Sequence, residues 1–393
     1  MSISLAKPYL KIDVILEEVK NALETRWISG GPTISKFEKA VQKYNNDPDG
    51  KYIAVSNGTT ALEMALLYLN GGITYEMNEV NEVIAPSWSW VATGFSIPRV
   101  GAKPIWCDVD KYGVPTAELI EPLINDNTAA IIIVHQMGIP CDMDKINALG
   151  KKYQLPIIED AACAIGSEYK GKRIGNSPNI VTYSFQAKKL LTTGEGGMIV
   201  VRDEKAETWL RSFRAFGTNS TPLERDQSTN MNKEYFDKLG GNYKLSDIAS
   251  AVGIANLKYI DEEIEMRTKA AEFYNSAIND LNLSGYSVYV GNEIPEYCTR
   301  YNWQNYHIIL GKEYIRDVIV QMMKAHGINC KWDIQATHLE PIINDKHISL
   351  TNTNTFHSHG IQIPFFAEIT KEEQQIVIDT LVGVLIEFNG QTI

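Results

Sequence analysis

Short apolar runs alternate with amphipathic stretches through the first two-thirds of the chain. The runs fall at 52–55, 82–86, 103–106, 129–135, 156–160, 180–185 and 197–201, and segments such as 60–69 and 143–153 between them carry apolar residues at helical spacing. This alternation predicts an α/β fold with a mostly parallel sheet and helices on both of its faces. The last two runs are joined through 192–196, which is too short for a helical crossover. They are expected to differ in direction or to belong to separate pairings. From Ser246 the pattern changes. Residues 247–278 contain a single glycine, Gly253, and no proline, and become charged after Lys258, so Ser246 is placed to cap a long helix leaving the first domain. A smaller α+β unit should follow, with a strand near 306–310, a helix near 315–326 and a closing helix over 371–388. At 393 residues the chain exceeds what one core supports, and the expected division is a large domain over 1–250 and a smaller one over 251–393, with the N-terminal segment packing on the smaller.

Composition narrows the function classes. Apolar residues make up 44% and charged residues 22%, with no uninterrupted apolar run of membrane-spanning length and no signal-peptide pattern at Met1 to Lys7, so a cytoplasmic, soluble protein is expected. With 48 acidic against 37 basic residues the formal charge is −11, which argues against general attraction to nucleic acid or an anionic membrane. Any phosphate must be bound locally. The five cysteines, Cys107, Cys141, Cys163, Cys298 and Cys330, are widely spaced with no Cys-x-x-Cys, and His357 and His359 lack a clear third ligand. Neither a disulfide framework nor a metal site is expected.

Two features carry candidate chemistry. Lys189 lies in a stretch running from Ser184-Phe185-Gln186 to Thr192-Thr193-Gly194-Glu195-Gly196-Gly197, and Glu159-Asp160 closes an earlier apolar run. A lysine and a carboxylate so placed suit pyridoxal phosphate: the amine forms a Schiff base with the cofactor aldehyde, and the carboxylate keeps the pyridine nitrogen protonated. Strand alternation puts Glu159 and Asp160 on opposite sides, so only one of them can face the ring. Ser56-Asn57-Gly58-Thr59-Thr60 opens a helix-like stretch, a place where free amides and the helix dipole favour phosphate, although Asn-Gly is also an ordinary turn. Ser184 can donate to a phosphate oxygen or merely satisfy nearby backbone. Trp88 and Trp90, in Pro86-Ser87-Trp88-Ser89-Trp90, share a face of an extended segment at the sheet edge, where Trp90 can stack on a flat ring and either can equally be packing.

Taken with Ser29-Gly30-Gly31-Pro32, Asp108-Val109-Asp110, Asp142-Met143-Asp144, Gly241-Asn242-Tyr243-Lys244 and Ile363-Pro364-Phe365-Phe366, these motifs make the chain resemble, over nearly its whole length, the DegT/DnrJ/EryC1/StrS sugar aminotransferases. The resemblance implies a fold-type I enzyme of the aspartate aminotransferase superfamily, a homodimer with shared active sites. It makes Lys189 the covalent anchor and acid/base, Asp160 the partner of the ring nitrogen, Gly58, Thr59 and Ser184 the phosphate holders, and Trp90 the ring cover. Asn242 is then an asparagine that reaches the phosphate of the other subunit. Two departures stand out: Cys163 replaces a glutamine near the ring hydroxyl, and Lys244 an arginine. The lysine at 189, where a dehydrating subset has histidine, argues for transamination.

The implied reaction takes an amino group from an amino acid, L-glutamate by resemblance, to a keto sugar, preferentially a nucleotide-linked keto-deoxyhexose in the synthesis of amino sugars for O-antigen, capsule or antibiotics. Ser184-Phe185-Gln186 and Asn302-Trp303-Gln304-Asn305-Tyr306 are also similar to members that aminate unlinked cyclitol ketones. A dehydratase on the same fold is a further alternative. Trp88, Lys331, His338 and the polar stretch 219–238 are the candidates for the acceptor side.

Overall fold

A computed structural model describes residues 2–71, 81–220 and 234–391. Fourteen strands run through them: β1 Lys51–Val55, β2 Glu82–Pro86, β3 Lys103–Cys107, β4 Thr128–Val134, β5 Ile157–Asp160, β6 Glu168–Tyr169, β7 Lys172–Arg173, β8 Ile180–Ser184, β9 Gly197–Val201, β10 Val288–Val290, β11 Cys298–Arg300, β12 His307–Leu310, β13 Lys331–Trp332 and β14 Gly360–Gln362. The helices that matter below are α1 Ile12–Glu24, α2 Pro32–Tyr44, α3 Gly58–Leu69, α4 Val91–Arg99, α5 Ala117–Ile120, α6 Met143–Tyr153, α7 Glu204–Phe213, α8 Asp247–Leu257, α9 Ile260–Leu283, α10 Arg316–Ala325, α11 Thr351–His359 and α12 Lys371–Gln391.

Seven strands form the central sheet in the order β1-β9-β8-β5-β4-β2-β3. The ladders from β3 to β8 are parallel, while β9 is antiparallel to both β8 and β1. Of the two outcomes expected for the short connection before β9, reversal of direction is the one found, since antiparallel neighbours need no crossover. Alternation along the strands divides the core in two. Val83 and Ala85 of β2 and Ala130 and Ile132 of β4 pack with Leu62 and Leu66 of α3 and Ile97 of α4, whereas Ile84, Ile131 and Ile133 join Phe37 and Val41 of α2 and Ile146 of α6. Each fully buried Leu or Ile contributes about 1.5–3 kcal/mol, which is why these runs read as continuous apolar segments rather than half-polar ones.

Side-chain caps fix the helices that matter for the site. Asn57 Oδ1 accepts from Thr60 N at 2.8 Å to start α3, and Ser246 Oγ accepts from Ala249 N at 3.1 Å to start α8. Asp247, fully buried in the first turn of α8, also accepts from Gly31 N and Thr33 N and so starts α2. One expectation changes: the segment from 247 to 278 is two helices. The first closes on bonds from Lys258 N to Ala255 O and Tyr259 N to Asn256 O, while the Asn256 side chain donates to Thr192 O. No Gly or Pro marks that break.

The second sheet has the order β10-β12-β14-β13, all antiparallel. Ile3 pairs with the backbone at Gly327 and Asn329, and Leu5 O accepts from Phe365 N, so the N-terminal segment lies against this part of the chain. Among the described residues no helix is long and apolar enough to cross a membrane.

Candidate active site

The carboxyl ends of β1, β2, β4, β5 and β8 converge on one edge of the central sheet, where open parallel sheets place their ligands. There they enclose a cavity of about 620 Å³, whose lining includes Gly58, Thr59, Trp90, Asp160, Cys163, Ser184, Lys189 and Lys331. The first-turn amides of Gly58 and Thr59 have no intrahelical acceptor. A Cβ at Gly58 would come within 2.9 Å of Ser184 Cβ, so only glycine lets α3 begin directly against the end of β8. Gly197 does the same for β9, where a Cβ would meet the Asn57 carbonyl carbon at 2.4 Å.

Asp160 and Glu159 separate as alternation requires. Asp160 is buried at the cavity, accepting from Thr93 Oγ1 at 2.7 Å and from Ala162 N at 3.1 Å. Burial pushes its carboxyl above the ordinary aspartate range, against the pull of those two donors and of the Lys189 ammonium. Glu159 lies on the other side. His135 Nδ1 accepts from Cys141 N, so Nε2 carries the proton and donates to Glu159 at 3.0 Å, with Ser177 and Asn179 as further donors. Burial pushes Glu159 up, but this set of donors outweighs it and holds the carboxyl below its usual range.

Lys189 Nζ donates to Cys163 Sγ at 3.1 Å inside the cavity. Its loop is held from both sides by one residue, for Gln304 Oε1 accepts from Leu190 N at 3.2 Å and Gln304 Nε2 donates to Lys188 O at 2.8 Å. Asn302 supports the facing segment through bonds to Cys163 O and Ile165 O. The sequence drew attention to Asn302 and Gln304 only as a possible sign of acceptor type; their positions make them braces.

Trp90, at the start of α4, is 59% exposed and lines the cavity. Trp88 does not reach it: the ring is 1% exposed, stacked on Phe356 at 4.5 Å and packed so closely that a Cβ at Gly113 would touch it. His338 is likewise outside the cavity lining, fully buried, with Nδ1 at 2.6 Å from Ser87 Oγ. Ser87 Oγ also accepts from His338 N at 3.1 Å, and burial lowers the proton affinity of this imidazole. Neither of these two candidates for the acceptor side lines the cavity. Asn242 is exposed, is not among the residues lining its own chain's cavity, and accepts from Lys244 Nζ at 2.7 Å. Of the stretch 219–238, residues 221–233 lie outside the described residues. The five cysteines are unpaired, and no cluster of metal-ligating side chains is found among the described residues.

Comparison with known proteins now decides the family. The sequence pattern of the DegT/DnrJ/EryC1/StrS aminotransferase family matches residues 11–382. The chain belongs to that family. Among its relatives, an uncharacterized protein of Methanocaldococcus jannaschii is 29% identical over 95% of both chains. Helicobacter pylori PseC, an aminotransferase involved in the biosynthesis of pseudoaminic acid, superposes with a TM-score of 0.88 at 22% identity, covering 99% of this chain and 100% of its own. The sugar aminotransferase CalS13 from Micromonospora echinospora gives 0.83 at 24%, covering 97% and 99%.

Aminotransferases of this family use pyridoxal 5'-phosphate, and the cavity fits that group. It offers a helix N-terminus and a serine hydroxyl for the phosphate, and a flat indole beside them. It also holds a buried carboxylate with no direct ion pair among the described residues, suited to a protonated ring nitrogen, and a primary amine. Cys163, in place of the family's glutamine, presents only a thiol, and here that thiol meets Lys189 itself.

Proposed function

We propose that this aminotransferase moves the amino group of an amino acid, L-glutamate, to a keto sugar, a nucleotide-linked keto-deoxyhexose, in amino-sugar biosynthesis. The observation that carries the reading is the pairing of Lys189 and Asp160 in one cavity, with Asp160 rather than Glu159 turned inward. The sugar acceptor is supported by the structural neighbours, of which one is named a sugar aminotransferase and another is involved in making pseudoaminic acid. In the segment similar to cyclitol aminators, the Asn302 and Gln304 amides bond backbone groups of the lysine loop and the segment facing it.

In this mechanism the N–H groups of Gly58 and Thr59 and the Ser184 hydroxyl hold the phosphate, and Asp160 keeps its charge by facing the ring nitrogen. Bound pyridoxal phosphate supplies an aldehyde that exchanges amino groups and a protonated ring that takes up the electrons left when the substrate carbon loses its proton. Lys189 Nζ would hold the cofactor aldehyde. With its amine free, it would act as the base that takes the proton from the donor carbon in one half and as the acid that gives a proton to the acceptor carbon in the other. Gln304 keeps the loop on station while that amine alternates between roles.

The reading includes a homodimer in which Asn242 serves the partner's phosphate site. It is supported by exposed apolar side chains on α1, Ile12, Leu16 and Leu23, and by Phe216, Phe236 and Leu239 in the region leading to Asn242.

The test is a panel of nucleotide-linked and free keto sugars and keto-cyclitols added to enzyme first converted with L-glutamate. Return of the aldehyde-form absorbance with an amino sugar as product supports the reading, a free cyclitol as best acceptor corrects the substrate, and a deoxygenated sugar refutes transamination.

A further inference from the structure

Lys331 is a cationic part of the cavity that the mechanism leaves unused. It sits on β13 directly opposite Gln362 of β14, so the two side chains leave the sheet on one face, and both line the cavity. The Gln362 side is rigidly wired. His307 Nδ1 is paired with Asp333, whose other oxygen accepts from Gln362 Nε2 at 3.1 Å, and Gln362 Oε1 in turn accepts from Asn305 Nδ2 at 2.9 Å. Both Asp333 oxygens are thus bonded to groups other than Lys331. Among the described residues the Lys331 ammonium makes no ion pair or hydrogen bond. Desolvation lowers its proton affinity, and so do the like charges of Lys188 and Lys189, against a longer-range pull from Asp333 and Cys163.

A half-buried ammonium among other ammoniums, with no acceptor of its own, is unfavourable until an anion arrives. The cofactor phosphate is not that anion, because its cradle is built by α3 and β8, and none of the groups acting on Lys331 belongs to it. Those groups, Lys189 and Cys163 among them, lie at the amine end of the cavity. Any substrate must bring its reacting carbon there. We propose that Lys331 holds an anionic oxygen group of the incoming substrate, with the wired Gln362 and Asn305 amides as the neutral part of the same subsite. This rests on the transaminase reading above. The anion is either the carboxylate of the amino-acid donor or a phosphate of the nucleotide-linked acceptor.

The experiment compares wild-type holoenzyme with Lys331→Gln and Lys331→Arg, following each half-reaction separately by cofactor absorbance and measuring the affinity for glutarate and for pyrophosphate by calorimetry. Lys331→Gln should raise the half-saturating concentration in at least one half-reaction about tenfold or more, the loss expected for a charge-assisted bond, with its limiting rate within about twofold. Lys331→Arg should recover part of that loss. A defect confined to the donor half and to glutarate assigns a carboxylate, and one confined to the acceptor half and to pyrophosphate assigns a phosphate. Unchanged half-saturation in both halves with unchanged affinity for both anions overturns the proposal, as does a loss of limiting rate alone. If wild-type enzyme fails to convert with any amino acid, the transaminase reading is what has failed, and the two calorimetric affinities still decide on Lys331.

Discussion

Asp160 and Glu159 are neighbouring carboxylates with opposite electrostatics. Because burial raises Asp160, its contribution favours the fold at low pH and is lost as pH rises from the ordinary aspartate range through the raised value. Asp160→Asn should therefore raise the melting temperature of the cofactor-free protein at neutral pH while weakening its hold on the cofactor, a trade expected of a functional site. Thermal melts with and without cofactor check both halves. Glu159 has the reverse sign: its stabilisation is present above the usual glutamate range and disappears as pH falls through the depressed value. Removing its partner with His135→Ala should cost about 3 kcal/mol in denaturant melts. The alternation of side chains was readable from the chain, but alternation alone did not say which acid turns inward; only the family resemblance named Asp160. That choice depends on His135, Ser177 and Asn179, which come together only in the fold. The two indoles give the same lesson. Trp88→Ala should destabilise by about 3–5 kcal/mol, whereas Trp90→Ala should leave the melt within about 0.5 kcal/mol and loosen the cofactor instead. Their spacing in sequence is symmetrical, and only the stacking on Phe356 tells them apart.

At the scale of elements, the sheet was legible because most of its strands are short apolar runs buried on both faces, and connection length narrowed β9 to a reversal or a separate pairing. The phosphate cradle was legible as Asn57-Gly58-Thr59, but the reason for the glycine is the approach of β8. Gly58→Ala places a methyl carbon 2.9 Å from Ser184 Cβ and must push α3 outward. Cofactor affinity should fall about tenfold or more, as for loss of a charge-assisted contact, and titration of the cofactor-free variant by fluorescence measures it. The break after Lys258 was hidden because backbone bonding and Asn256, rather than a breaker residue, end the helix. The brace from Gln304 to the lysine loop was hidden too, since its two bonds join segments far apart in the chain. Gln304→Leu should keep the fold and slow both half-reactions together, which stopped-flow absorbance would show as reduced limiting rates with little change in half-saturation.

For the whole molecule, the account places two sites at the contact of two copies of the chain, with Asn242 crossing over. Mixing an inactive Lys189→Ala chain with an impaired Asn242→Ala chain should then restore activity, because one site of each mixed dimer regains both residues. Failure to restore it, with mixed dimers shown to form, removes Asn242 from the partner's site. Beneath the oligomer, the acceptor and the pathway lies one claim: the amine of Lys189, opposite Asp160, carries the cofactor. Borohydride reduction of the holoprotein followed by peptide mass mapping tests it most directly. The account predicts a single pyridoxyl adduct on Lys189 that is absent after prior conversion with L-glutamate; an adduct on Lys188, or none at either position, contradicts it.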